Sequence, residues 1–322
     1  MGLANESYQA PSHGILTLVP SSWVPYLELA RIDKPIEKGI TYAPFLLGSL
    51  FAACIARPLP EPMAIITTNA VLFAISFLLH SAGCTWNDII DSDLDKKVER
   101  CRFRPVARGA VSPCESYIFF ATQLILCLGI LWQTCRQGMP YAILYITLGL
   151  IYPYAKRFTN YPQLLLGLTI AWGLIIGFVS IPINFQILGS NKASALGCLF
   201  TSQVTWAVIG DTIYALQDAD DDPKAGVKSM AVTYRDSLKV LLSFEVMVHV
   251  VALILAGNSM GAGIFYFLVA GGGNAAVLTL IVWKVDTSNP KECGWWFRNG
   301  NWLVGGSFSA GLLGEYVTRL AI

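Results

Sequence analysis

The stretch 87-NDIIDSDLDKKVERCRFRPVARG-109 decides how the rest of the chain is read. Asp88, Asp91 and Asp95 stand at i, i+3 and i+7, so a helix continued through them stacks three carboxylates on one face. Such a face repels itself. Two unit charges about 4 Å apart interact by roughly 4 kcal/mol at an effective dielectric near ~20, so carboxylates held this way face a cation. An all-oxygen ligand set points to a hard ion, Mg2+ first, which keeps some waters and shares its remaining positions with phosphate oxygens. Lys96, Lys97, Arg100, Arg102, Arg104 and Arg108 follow directly, a basic run suited to a polyanion.

A second acid cluster, 211-DTIYALQDADDDPKAGVKS-229, places Asp211, Asp218 and Asp222 at i, i+7 and i+11, again one helical face. Two such faces would bracket a diphosphate. The competing reading is a pair of solvated, charge-rich loops, where most acidic runs belong. The position of the clusters within the whole chain separates the two readings.

The chain has 322 residues, of which 54% are hydrophobic and 13% charged. Its mean hydropathy is +0.55, the balance of a membrane protein. A net charge of +1 excludes a global field that would draw in nucleic acid. The eight cysteines form no CxxC and lie mostly in apolar runs, which favours small core residues over a disulfide framework or a zinc site. Residues 1–30 hold no Lys or Arg and read as a lead, partly disordered or interfacial around Trp23–Leu29. That lead fits neither an Arg-rich presequence nor a signal peptide. Residues 31–322 read as a single domain.

Apolar runs at 38–56, 64–86, 115–134, 139–155, 163–186, 195–217, 238–256, 262–283 and 300–320 each approach the ~20 residues that span a bilayer. The expectation is an all-α, polytopic bundle of nine transmembrane helices. Gly173 and Gly177 in the fifth run, and Gly271–Gly273 in the eighth, are expected to mark close helix packing. With nine spans, all but Arg57, Arg136, Lys192 and Arg319 of the 22 Lys and Arg fall on one face, which is then cytosolic. Both acid clusters follow even-numbered helices, so they face each other on that side.

Facing carboxylates with cations, at the mouth of an apolar bundle, suit a substrate with a diphosphate head and a long apolar tail; prenyl diphosphates fit. In this reading Mg2+ held by Asp88, Asp91, Asp95, Asp218 and Asp222 turns the diphosphate into a better leaving group. The bundle interior keeps water from the resulting allylic cation. The acids sit at helix ends on one face, whereas a transporter with an acidic ion site would hold them near the midplane on broken helices.

These residues resemble the UbiA superfamily of intramembrane aromatic prenyltransferases, in the branch of 4-hydroxybenzoate polyprenyltransferases and fungal meroterpenoid prenyltransferases. Asn87, Asp88, Asp91 and Asp95 match NDxxDxxxD, and Val98, Arg100, Arg104 and Pro105 match VxRxxxRP. Asp211, Tyr214, Ala215, Asp218 and Asp222, then Gly226, Lys228 and Ser229, are similar to DxxYAxxDxxxD and GxKS. Tyr152–Gly173 resembles the segment YPxxKRxTxxPQxxLG, and Ala30–Pro35 (ARIDKP) the lead into the first helix.

The resemblance implies that both aspartate motifs bind Mg2+ and diphosphate. It also implies that Asn87, Arg100, Arg104, Lys156 and Arg157 line or approach the head group, and that the tail lies among the helices. Arg102 and Arg108 suit lipid head groups as well as substrate. Tyr214 either orients substrate or belongs to the interfacial belt, and the general base is Asp211 or the released diphosphate. Lys228 closes the second motif.

Members acting on hydroxybenzoates often carry Arg seven residues before the motif Asn; here that residue is His80. A His there is either a packed, hydrogen-bonded group or an acceptor contact. With no permanent bidentate cation at that position, the expected acceptor is an aromatic polyketide, an orsellinate-type phenol or a pyrone, taking a farnesyl group. The nearest alternative is 4-hydroxybenzoate polyprenyl transfer in the ubiquinone pathway. The expected location is an endoplasmic-type membrane with a cytosolic active-site mouth, ahead of the mitochondrial inner membrane. Oligomeric state is left open.

Overall fold

The computed structural model describes residues 8–9, 11–12, 14–182 and 189–321. The described residues are helical, turn or irregular, with no strand among them. The long helices are α1 (Pro35–Ile55), α2 (Pro62–Ile90), α3 (Pro113–Thr134), α4 (Met139–Phe158), α5 (Pro162–Ser180), α6 (Ser190–Ala215), α7 (Leu238–Met260), α8 (Ile264–Lys284) and α9 (Pro290–Leu320). Proline opens α1, α2, α3, α5 and α9, where its missing N–H is no loss and its fixed φ suits the first turn. Ser112 and Glu115 close a capping box on α3.

By length and composition seven of these can cross a membrane: α1 from Glu37, α2, α3, α5, α6 continued to Asp218, α7 continued back to Arg235, and α8. The nine expected spans are met to that extent. Helix α4, at 20 residues, is long enough for ~30 Å, but Tyr141, Tyr145, Tyr152 and Tyr154, two prolines and the terminal Lys156 and Arg157 dilute its apolar run. Helix α9 starts at Pro290, ten residues before its expected span, because Asn289 caps its first turn by accepting from Glu292 N–H at 3.3 Å. The end of the fifth expected span, 183–186, lies outside the described residues, as do residues 1–7 of the lead. Val24–Leu29 forms a short helix with Leu29 buried and Trp23 exposed.

Helix α1 runs through the middle of the bundle against α2, α5 and α9, and α5 in turn packs on α4 and α6. The α1–α5 contact is the tightest. A Cβ at Gly48 would strike Leu174 O, and one at Gly173 or Gly177 would strike Phe45. The α5 glycines therefore mark close packing, as expected. The α8 glycines behave differently. Phe267–Gly272 is a wide π turn, Gly271 faces open space, and only Gly273 approaches α9, at Ser307 Cβ 3.0 Å. A run of residues without side chains tolerates the widened ladder there.

The two acid clusters do not lie on continuous helices. Helix α2 ends at Ile90; Asp91, with φ −92° and ψ 3°, breaks it before the short helix Ser92–Asp95. Helix α6 ends at Ala215, followed by a 3-10 turn Leu216–Asp218 and a short helix Asp222–Ala225. Each break relieves the stacking of like charges that an unbroken helix would impose.

Candidate active site

Helices α2, α4 and α6 end together at one rim. Lys156, in the last turn of α4, donates to Asn87 Oδ1 at 2.9 Å and Asp91 Oδ2 at 2.7 Å. Lys228 N–H donates to Lys156 O at 2.8 Å, tying the second motif to the same helix end. Arg100, from the loop after the first motif, reaches across to the second. Its Nε donates to Asp218 Oδ1 at 2.8 Å and its Nη1 to Tyr214 Oη at 2.7 Å. The two acid clusters thus face each other at one end of the bundle.

Three adjoining cavities follow. A pocket of about 100 Å3 is walled by Asp91, Asp95, Asp211, Asp218 and Asp222 together with Lys228. An outer vestibule of about 470 Å3 is bordered by Arg31, Arg100, Arg108 and Arg298. A third cavity, about 260 Å3 and mostly apolar, runs into the bundle past Asn87, His80 and Leu79. Arg104 and Tyr214 stand where all three meet. Tyr152, Lys156 and Asp211 form the partition between the acid pocket and the apolar cavity.

The expected site residues are not all at the wall. Asp88 is fully buried and lines none of the three cavities. It bonds Arg31 at 2.6 Å and lies 3.4 Å from Arg104, which also bonds Asp95 at 3.0 Å. With α2 ending at Ile90, Asp88 points toward the lead into α1, not toward Asp91. Arg157 stays behind the pocket, donating to Ile90 O at 2.8 Å and standing 3.7 Å from Asp91. His80 lines the apolar cavity and contacts Cys84 Sγ at 3.5 Å.

The structure adds Arg31, which the sequence placed in a motif without giving it a task. It is 8% exposed and holds φ at 54°, a left-handed conformation that costs a non-glycine residue ~1 kcal/mol or more. That backbone aims its guanidinium at Asp88. Its position immediately before a proline-led apolar helix is the sequence signal.

Charge in the acid pocket is only partly cancelled. Burial, then the neighbouring Asp218 carboxylate, pushes Asp222 up to about 7. Burial pushes Asp95 up to about 6 against the pull of Arg104. Asp91 Oδ1 and Asp88 Oδ2 are buried without a hydrogen-bond partner. Among the described residues no three His, Cys, Asp or Glu side chains converge to hold an ion by themselves. Orphan carboxylate oxygens without a closed cage fit Mg2+, which is commonly held by one or two carboxylates with its shell completed by water and phosphate.

A model of the UbiA prenyltransferase family matches residues 42–304. The chain is 36% identical over 272 residues to the prenyltransferase ascA of Acremonium egyptiacum, covering 83% of this chain and 78% of that one. It is 35% identical over 300 residues to 4-hydroxybenzoate geranyltransferase 1 of Lithospermum erythrorhizon, covering 92% of each. Its fold matches a UbiA homolog from Archaeoglobus fulgidus bound to GPP and Mg2+, with a TM-score of 0.64 at 16% identity over 91% of this chain and 99% of that one.

Proposed function

The chain belongs to the UbiA prenyltransferase family and is an integral membrane transferase; on that premise we propose that it moves a farnesyl group from farnesyl diphosphate to an aromatic polyketide, an orsellinate-type phenol or a pyrone, with Mg2+. One observation carries this reading. A pocket of facing carboxylates and cations adjoins, across Tyr152, Lys156 and Asp211, an apolar cavity of about 260 Å3. A diphosphate head needs the first environment, and the apolar parts of the reactants, the reacting end of the isoprenoid and the acceptor ring, need the second.

Arg100, Arg104, Lys156 and Lys228 receive the diphosphate oxygens, and Asp88, through Arg31 and Arg104, positions the cations from behind. Asp91, Asp95, Asp218 and Asp222 would hold Mg2+, which would supply the charge that makes diphosphate a better leaving group. The apolar wall excludes water as the C–O bond breaks. A ring carbon of the acceptor gives its electron pair to the new C–C bond, and the ring proton leaves to Asp211 or the departing diphosphate. The Archaeoglobus homolog, bound to GPP and Mg2+, supports the donor class.

Helices α4 and α9 are read as crossing with the other seven, so that residues 31–322 form one nine-span unit. The crowding of Lys and Arg at the acid rim supports a cytosolic mouth, and the expected membrane is an endomembrane; microscopy of a tagged protein tests this, with matrix-side staining against it. The enzymatic reading is tested by incubating microsomes with geranyl, farnesyl and geranylgeranyl diphosphates against orsellinates, pyrones and hydroxybenzoates. Farnesylated polyketide is the expected product. The Lithospermum relative favours a second reading, prenylation of 4-hydroxybenzoate; faster turnover of that acid than of every polyketide would establish it instead.

A further inference from the structure

Gln203 lies on α6 eight residues before Asp211, and His80 on α2 seven before Asn87. At 1.5 Å per residue both stand about 10–12 Å below the carboxylate rim, on walls of the same apolar cavity. Gln203 is 1% exposed, and neither its amide oxygen nor its amide nitrogen has a hydrogen-bond partner. An unpartnered buried amide costs about 1–3 kcal/mol. Neighbouring polar groups in the wall are committed: Asn301 accepts from Trp206 Nε1 at 2.6 Å, and Thr169 donates to Leu165 O at 2.8 Å. The cations that line the cavity are committed too, Arg31 to Asp88, Arg104 to Asp95 and Lys156 to Asp91.

We infer that Gln203 is the specificity-determining residue for the acceptor, hydrogen-bonding an uncharged hydroxyl or carbonyl on its ring through the amide that the protein leaves unpaired. This rests on the proposed prenyl transfer for its context, but the amide makes its own prediction about binding. An amide offers an NH2 donor group and a carbonyl acceptor side by side and suits a phenol hydroxyl or a pyrone carbonyl. A carboxylate there would find no uncommitted cation among the described residues.

The test uses the full-length protein purified in detergent, with orcinol and orsellinate as probes. Orcinol should raise the melting temperature of the wild type saturably, and Gln203→Leu should weaken its binding at least tenfold. In turnover with farnesyl diphosphate, the same substitution should raise the acceptor KM by the same factor and leave the diphosphate KM within twofold. Gln203→Met, the unbranched apolar substitute, is read identically if the Leu variant does not accumulate. Unchanged orcinol binding, no binding by the wild type, a parallel rise in both KM values, or tighter binding of orsellinate than of orcinol would each overturn the inference. Binding of orcinol without transfer to any acceptor would instead overturn the proposed reaction and leave the amide's role standing.

Discussion

At the far end of the bundle Arg319 places each of its three nitrogens. Nε donates to Glu315 Oε1 at 2.6 Å, Nη1 to Cys54 O at 2.9 Å and Nη2 to Met260 O at 2.8 Å. Glu315 Oε2 accepts from Gly263 N–H at 2.8 Å, so one ion pair ties the ends of α1, α7 and α9 to the start of α8. At the acid rim the same chemistry, Arg and Lys against carboxylate, stops short of completion. Asp91 and Asp88 each keep an orphan oxygen, and buried Asp222 has no cation in ion-pair contact among the described residues. A finished network holds helices; an unfinished one, opening on a cavity, is built for something that arrives.

The comparison predicts opposite consequences for removing a charged side chain at the two ends. Asp91→Ala or Asp218→Ala should lower prenyl transfer by on the order of 10^3-fold or more, the scale for removing charge stabilisation of a leaving group. Both variants should still insert in the membrane. A strong chelator should match them. Activity that survives the chelator, measured as radiolabelled product, would break the reading of the acid rim as a metal and diphosphate site.

Arg319→Ala is the converse. Leaving Glu315 buried and unpaired costs about 3–5 kcal/mol of stability, which a denaturation midpoint in detergent measures. Transfer per folded molecule should not change. Lost activity with unchanged stability would remove the contrast between the two ends.

Much of the acid rim was legible from spacing alone, because Asp91, Asp95, Asp218 and Asp222 recur at helical intervals beside cations and after apolar runs. The breaks at Asp91 and after Ala215 were not, since periodicity describes a helix without saying where repulsion ends it. Asp88 looked equivalent to its neighbours until α2 stopped at Ile90 and Arg31, 57 residues upstream, took its carboxylate. The far clasp joins Arg319 to Cys54 across 265 positions, and no local pattern encodes such a contact. Gln203 reads as one amide in an apolar helix; only the surrounding wall shows that it is unpaired. The GxxxG of α5 and the glycine run of α8 look alike in sequence, and their different surroundings decide that one packs and the other widens a turn.

Proton linkage separates the ends by a smaller amount. Asp222 near 7 and Asp95 near 6 must lose protons to hold a divalent ion. The apparent Mg2+ affinity, read by titration in fixed diphosphate, should therefore weaken by up to about tenfold per unit as pH falls below 7. The metal-free protein should slope the other way. Its folded state binds more protons than the unfolded chain between the ordinary carboxylate value and about 7, so stability rises as pH falls through that window. Matching slopes with and without metal would mean that these carboxylates are not ligands.

The smallest expected effect lies two turns below the rim. Among the described residues His80 has one hydrogen-bond contact, a weak sulfur interaction with Cys84 at 3.5 Å, so its ring is not locked into a network whose loss would unfold α2. His80→Arg puts a permanent forked cation on the cavity wall. A carboxylate on the acceptor ring would then gain one charge-assisted pair, and the ratio of kcat/KM for 4-hydroxybenzoate over orcinol should rise roughly three- to tenfold. The direction matters more than the size. A rise would make the cavity below Asn87 the acceptor's seat and the acid rim the donor's; an unchanged ratio in an active variant would place the ring elsewhere, leaving the inner cavity to the isoprenoid tail.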